Sequence, residues 1–237
     1  MALPQGRRVA IVVVAIAVSA ACVALGLWQL RRLDERRAAN AAIVDAGSGP
    51  AVTVRSADDV KALAPYHRVI ASGTYDVEGE VIVYGRALEG RPGHHVVTPL
   101  VLEDGSAVLV IRGWVPFEMD SAPVQAAAPG VRDLAVEGFL VAAEPTESRP
   151  PDTRGVVRTL DPDAIAGPLP YAVAPLALQL EAQRPPQSGT PVPVPPPELS
   201  EGPHLSYAIQ WFSFAAITLV GAAVLLRRDR RAATPAP

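Results

Sequence analysis

The sequence predicts an α+β membrane protein: two transmembrane helices bracketing one extracytoplasmic, mainly antiparallel β domain with short helices. Three observations carry this. Residues 9–30 and 205–226 are two uncharged, strongly apolar stretches of 22 residues each, long enough for a helix to cross a hydrocarbon core about 30 Å thick. Between them lie short runs rich in Val, Ile, Leu and Tyr, punctuated by Gly, Pro and Asp, the pattern of strands joined by turns. Charge is also partitioned: residues 40–203 carry 11 Lys and Arg against 21 Asp and Glu, while the flanks carry 10 Arg against three acids.

The expected organisation is a cytoplasmic tail (1–8), a first transmembrane helix (9–30), an extracytoplasmic β-rich domain (31–183), a proline-rich strut (184–203), a second transmembrane helix (204–226) and a second cytoplasmic tail (227–237). Arg7 and Arg8 precede the first span, and Arg227, Arg228, Arg230 and Arg231 follow the second. The positive-inside rule therefore puts both termini in the cytoplasm and the middle domain outside the plasma membrane. Arg31, Arg32, Arg36 and Arg37 pull the other way, but long translocated loops follow the rule poorly. Ser19-Ala20-Ala21 offers small residues for a signal-peptide cleavage site. The apolar run continues to Leu30, which favours an uncleaved anchor. Cys22, the sole cysteine, leaves no intramolecular disulfide and reads as a small residue inside a span.

Within the domain, Ser56 is an N-cap followed by Asp58 and Asp59, opening a short helix that Pro65 ends. Strands are expected over 66–75, 81–84, 95–102, 107–114, 134–141 and 156–160, with a weaker one over 171–180. Asp104-Gly105 predicts a hairpin, since both residues tolerate positive φ. The unbroken apolar run 108–111 predicts a strand covered on both faces. Asp161-Pro162-Asp163 starts a second short helix that Gly167 stops. Eight prolines in 184–203 favour extended polyproline conformation, hence the strut.

The composition excludes several functions. An acidic domain argues against nucleic acid as a partner, leaving lipid and protein. No Gly-x-Ser-x-Gly, His-Glu-x-x-His or phosphate-binding glycine loop is present, so no enzymatic activity is expected. Adjacent His94 and His95 on a strand face opposite ways and do not share an ion; His67 and His94 read as structural or solvent-facing.

His204 stands apart, at the start of the second span. With Tyr207, Ala208, Trp211 and Ala215 it forms one stripe at helical spacing. An imidazole can ligate haem iron while aromatics pack a macrocycle. The alternative is a helix-starting residue beside an aromatic belt. Gln210 lies roughly 9 Å deeper than His204, and Gln29 sits beside Trp28 near the outer end of the first span. Buried amides want partners: the two either tie the helices together or frame a pocket next to His204, and these readings are compatible. Gly26 lets the helices approach closely.

Taken together the motifs resemble the Surfeit locus protein 1 family. Leu25-Gly26-Leu27-Trp28-Gln29-Leu30-Arg31 is similar to its first-span signature. Tyr66-His67-Arg68-Val69 with Gly73-Thr74-Tyr75 resembles its first strand. Gly93-His94-His95-Val96-Val97-Thr98-Pro99-Leu100, Asp104-Gly105 and Val108-Leu109-Val110-Ile111-Arg112-Gly113-Trp114-Val115-Pro116 resemble its central hairpin. Pro203-His204-Leu205-Ser206-Tyr207-Ala208-Ile209-Gln210-Trp211-Phe212 resembles the opening of its second span. Ile111 stands where members often carry Asn, His67 replaces a common Arg, and the run 30–36 lacks the frequent aromatic-Lys pair.

The resemblance implies a role in biogenesis of haem-copper cytochrome c oxidase: presenting or stabilising haem A during its insertion into subunit I, in contact with the haem A synthesis machinery. It implies His204 as the haem contact and possible iron ligand, with Tyr207, Gln210, Trp211, Trp28 and Gln29 around it. It marks His95, Arg112 and Trp114 as partner-binding or structural positions, Arg112 either meeting a haem propionate or partner carboxylate, or pairing within the sheet. The competing readings are a scaffold for oxidase intermediates that never touches haem, and an extracytoplasmic sensor acting through a partner.

Overall fold

The computed structural model describes residues 4–129, 134–144, 149–187, 189–196 and 199–233. The chain divides into two units, a helical pair formed by residues 1–42 and 198–237, and a β domain over 43–197.

In the helical unit, α1 spans Gln5–Ser48 and α4 spans His204–Ala233. Each contains a stretch long and apolar enough to cross a membrane. Helix α1 continues well past the apolar run because residues 31–46 are mostly Arg, Ala, Leu and Glu, strong helix formers, and after that run no Gly or Pro comes before Gly47, Gly49 and Pro50. The expected boundary at residue 30 is therefore a change of polarity and not of structure. Its buried residues are Ala15, Ser19, Cys22, Gly26 and Leu33, spaced to face one side. Ala208 and Ala215 are their buried counterparts on α4. Small residues let two backbones approach: a Cβ at Gly26 would lie 2.7 Å from Phe212, and Ser19 Oγ donates to the Ala215 carbonyl at 3.2 Å.

The β domain holds eight strands: β1 Val52–Val54, β2 Arg68–Tyr75, β3 Val81–Leu88, β4 Arg91–Val101, β5 Ala107–Pro116, β6 Leu134–Val141, β7 Val156–Val157 and β8 Ala177–Arg184. Their order is β1-β2-β6-β8-β5-β4-β3-β7, and β2 also pairs with the end of β4. The sheet thus closes on itself through β2, β6, β8, β5 and β4. Five pairings are antiparallel, as expected, but β1–β2, β3–β7 and β5–β8 are parallel, making the sheet mixed.

Local signals hold. Helix α2, Ala57–Lys61, is capped by Ser56, whose hydroxyl accepts from Asp59 N while Asp59 accepts from Ser56 N. Helix α3, Pro162–Ala166, is capped by Asp161 and ends at Gly167. Gly105 turns the β4–β5 hairpin at φ 82°. Strand β5 is covered on both faces: Val108 and Val110 join one core cluster, Leu109 and Ile111 another.

Other elements differ from expectation. Tyr66 has φ 70°, so β2 starts at Arg68. The expected strand at 171–180 is β8, displaced to 177–184, where it pairs with β6 and β5. Strand β1 exists only by pairing with β2, and β4 begins four residues early, at Arg91, through its hairpin with β3. The proline-rich segment also differs from a free strut. Val192 exchanges both backbone hydrogen bonds with Trp114 (2.7 and 2.8 Å), and Gln179 Nε2 donates to the carbonyls of Val194 and Pro195. Prolines lack an N–H donor but keep their carbonyls, so Pro195 takes part as an acceptor while Val192 both donates and accepts. Residues 188, 197 and 198 of it lie outside the described residues.

Candidate functional site

The helical unit brings two of the predicted site residues together. His204 Nδ1 lies 2.8 Å from Gln29 Oε1, joining α4 to α1 across 175 residues of sequence. Pro203 precedes α4 and its carbonyl accepts from Tyr207 N and Ser206 Oγ, so the helix begins at the imidazole. Gly202, at φ 70° in the left-handed region, turns the chain into it. A Cβ on Gly202 would lie 3.5 Å from His204 Nε2 and 3.4 Å from its Cδ2, so a side chain there would begin in van der Waals contact with that ring edge. Just beyond, Arg37 makes a two-pronged pair with Glu201, both contacts 2.9 Å. At the other end Arg8 Nε meets Asp229 at 2.6 Å.

The remaining predicted cofactor contacts are less gathered. Trp211 is half-buried and meets Phe214 edge-on, ring centroids 5.9 Å apart. Trp28, Tyr207 and Gln210 are exposed. At about 100° per residue, Trp211 falls back in line with His204, whereas Gln210 is rotated by about 120°. Gln210 makes no hydrogen bond among the described residues, so the amide that meets the imidazole is that of Gln29. Sequence spacing alone had left the facing of each amide open.

In the β domain, Arg112 and Trp114 are buried and engaged within the sheet. Arg112 is the extra residue of a bulge, where the register passes from Val96 opposite Gly113 to Val97 opposite Ile111. Its guanidinium pairs with Glu80 at 3.2 Å, both side chains 1% exposed. It also donates to Gln187 Oε1 at 3.1 Å and lies over the Tyr75 ring at 5.1 Å. Glu80 in turn accepts from Thr98 Oγ1 and Val124 N. Burial lowers the Arg112 pKa from its ordinary value, opposed by Tyr75 and Glu80, and burial raises that of Tyr75. Of the two readings of Arg112, the ion pair within the sheet is the one built here. Trp114 Nε1 donates to the Arg86 carbonyl at 3.1 Å.

His94 is fully buried, its ring between Gly85 N (3.3 Å) and the Phe117 carbonyl (3.1 Å) and stacked on Tyr84. His95 is half-buried and lines a different space, a cavity of about 150 Å³ with Arg86, Glu144, Leu160 and Gln179. The two neighbours share no ligand-binding space, as the strand geometry predicted. Burial, then the Arg86 cation, pull the His95 pKa down from 6.5 to about 4, with Glu144 opposing. The unfolded chain therefore binds the extra proton between about pH 6.5 and 4, and stability falls as pH drops through that window. A His95→Gln variant is expected to show a shallower fall over the same range in thermal unfolding scans. An unchanged slope would assign that pH dependence to other groups.

Glu80 and a role for Gly202 escaped the sequence reading. The signal for Glu80 was an acid directly abutting the apolar run Val81-Ile82-Val83; for Gly202 it was a glycine directly before Pro203-His204.

Comparison with known proteins gives a consistent result. The SURF1 family matches residues 16–216. A SURF1-like protein of Rickettsia felis is 27% identical over 214 residues, covering 87% of this chain and 92% of the relative. An uncharacterized SURF1-like protein of Mycobacterium bovis is 28% identical over 232 residues, 90% of this chain and 83% of the relative. A SURF1-like protein of Monosiga brevicollis is 28% identical over 211 residues, 82% and 79% respectively.

Proposed function

Because the chain belongs to the Surfeit locus protein 1 (SURF1) family, we propose that it is a membrane assembly factor for cytochrome c oxidase that holds haem A and passes it to subunit I. The observation that carries this reading is the state of His204. Its Nδ1 is engaged by Gln29, while Nε2 makes no hydrogen bond among the described residues and faces a position without a side chain. Those features fit an imidazole that ligates iron through Nε2. A bound haem would be held through His204; the chain's part is to orient the ring, pack the macrocycle with Trp211 and neighbouring apolar residues, and release it.

A bilayer setting fits the dimensions. From Arg8 to Arg37, α1 rises about 44 Å, close to the 40–45 Å of a bilayer with its headgroups. The pairs Arg8–Asp229 and Arg37–Glu201 thus have the spacing of two headgroup layers, with His204 and Gln29 toward one of them. With the arginine distribution read by the positive-inside rule, that layer is extracytoplasmic and both termini are cytoplasmic. The β domain then docks the oxidase subunit and the haem A synthesis machinery on the same side. No chemical turnover is needed for this role.

The test is pigment spectroscopy of the purified full-length protein, co-expressed with haem A synthesis. Wild type is expected to carry a haem A spectrum, His204→Ala to lose it, and oxidase from the variant strain to contain less haem A. Unchanged pigment and unchanged oxidase maturation in His204→Ala would overturn the reading in favour of a scaffold that does not touch haem.

A further inference from the structure

We propose that Gln29 is a positioning residue, which holds His204 as the tautomer protonated on Nδ1 and thereby keeps the Nε2 lone pair open beside Gly202. This rests on the reading of His204 as the haem contact, and adds what controls that contact.

An amide oxygen carries lone pairs and no proton, so it only accepts. The ring nitrogen 2.8 Å from Gln29 Oε1 must therefore be the donor. An imidazole with one ring proton then has that proton on Nδ1, and Nε2 is a bare acceptor. Without an acceptor at Nδ1, the proton is free to sit on Nε2 and block it. Ligating histidines depend on such a partner for ring orientation as well as for tautomer.

Three neighbouring features keep the arrangement in place. His204 is the first residue of α4, so its backbone is held by the Pro203 turn. Arg37–Glu201 ties α1 to the segment just before His204. Gly26 against Phe212 brings the helices to contact one turn from Gln29. Gly202 supplies the complementary condition: any side chain there would begin 3.5 Å from Nε2. An amide is also an uncharged acceptor, so it orients the ring without adding a carboxylate's push on its basicity. That suits a ligand that must be surrendered.

The experiment uses the full-length protein in nanodiscs. Nitrogen-15 NMR of histidine-labelled protein without haem reads the tautomer of each imidazole, with His204 assigned by its absence in His204→Ala. Titration with ferric haem B as the probe reads affinity and dissociation rate. The variants are Gln29→Met, similar in length but lacking the amide acceptor, Gly202→Asn, which tolerates positive φ, and His204→Ala.

In wild type His204 is expected as the Nδ1–H form. Gln29→Met is expected to mix the tautomers and weaken haem binding by roughly 10- to 100-fold, the usual effect of losing a ligand's orienting partner. Gly202→Asn is expected to weaken binding while leaving the tautomer intact. An Nε2–H tautomer in wild type would overturn the proposal. So would a Gln29→Met variant with altered thermal stability but unchanged tautomer and affinity, the result of a purely structural helix tie. If His204→Ala binds haem as tightly as wild type, the reading of His204 itself fails. If His204→Ala loses affinity and Gln29→Met keeps it, only the positioning role fails.

Discussion

Glu80→Ala is expected to destabilise the β domain by about 3–5 kcal/mol, the cost of leaving one partner of a buried ion pair uncompensated. The Arg112 guanidinium would lose its carboxylate while remaining 1% exposed. Thr98 Oγ1 and Val124 N would lose their acceptor as well, so the loss is of a network and not of one contact. Chemical denaturation of the full-length protein in detergent, followed by far-UV circular dichroism, measures it. The double variant Glu80→Leu with Arg112→Met removes both charges and is expected to recover much of the stability, since apolar replacements of buried pairs are often neutral or better. A loss below about 1 kcal/mol in the single variant would mean that water reaches Arg112, against its burial.

Trp114→Ala is the second large effect, a loss of about 3–5 kcal/mol for a buried indole. Three parts of the domain meet at Trp114. A Cβ on Gly93 of β4 would lie 2.2 Å from the Val115 carbonyl and 2.4 Å from the indole. Arg91 lies over the ring at 5.2 Å. Backbone bonds from Trp114 hold Val192, and a Cβ on the preceding Gly113 would lie 2.5 Å from the Val192 carbonyl. The Arg-Gly-Trp run thus combines a buried cation, a close backbone approach and a ring. The variant is expected to loosen the proline-rich segment, seen as faster amide exchange at Val192 in hydrogen–deuterium exchange. Its haem affinity, measured in nanodiscs, is expected to stay near wild type, because the ring serves the sheet. A large loss of affinity with unchanged stability would return Trp114 to the functional residues.

How much of this was legible depended on the range of each interaction. Ser56, Asp161-Pro162 and Asp104-Gly105 act on backbone groups a few residues away, and their caps and turn follow the local pattern. The run 108–111 carries its own statement of two-sided burial. Strand β1 has three residues and no alternation to read; it exists because β2 offers an edge. Strand β8 begins six residues later than its apolar content suggests, since its extent is set by register with β6 and β5. In the helical unit, helical spacing identified His204, Tyr207, Ala208, Trp211 and Ala215 as one stripe, but not which amide would meet the imidazole.

Local chemistry was enough for the two apolar helices, the capped short helices, the hairpin and the identity of His204 as the residue to watch. These rest on hydrophobic runs, backbone torsions and hydrogen bonds within one turn, all of which a linear pattern encodes. Tertiary structure alone decided that Gln29 and not Gln210 reaches His204, that Glu80 neutralises Arg112, and that the proline-rich segment lies along the sheet. Each joins residues separated by 175, 32 or 15 positions, and a partner chosen by chain packing in three dimensions leaves no periodic trace in the sequence.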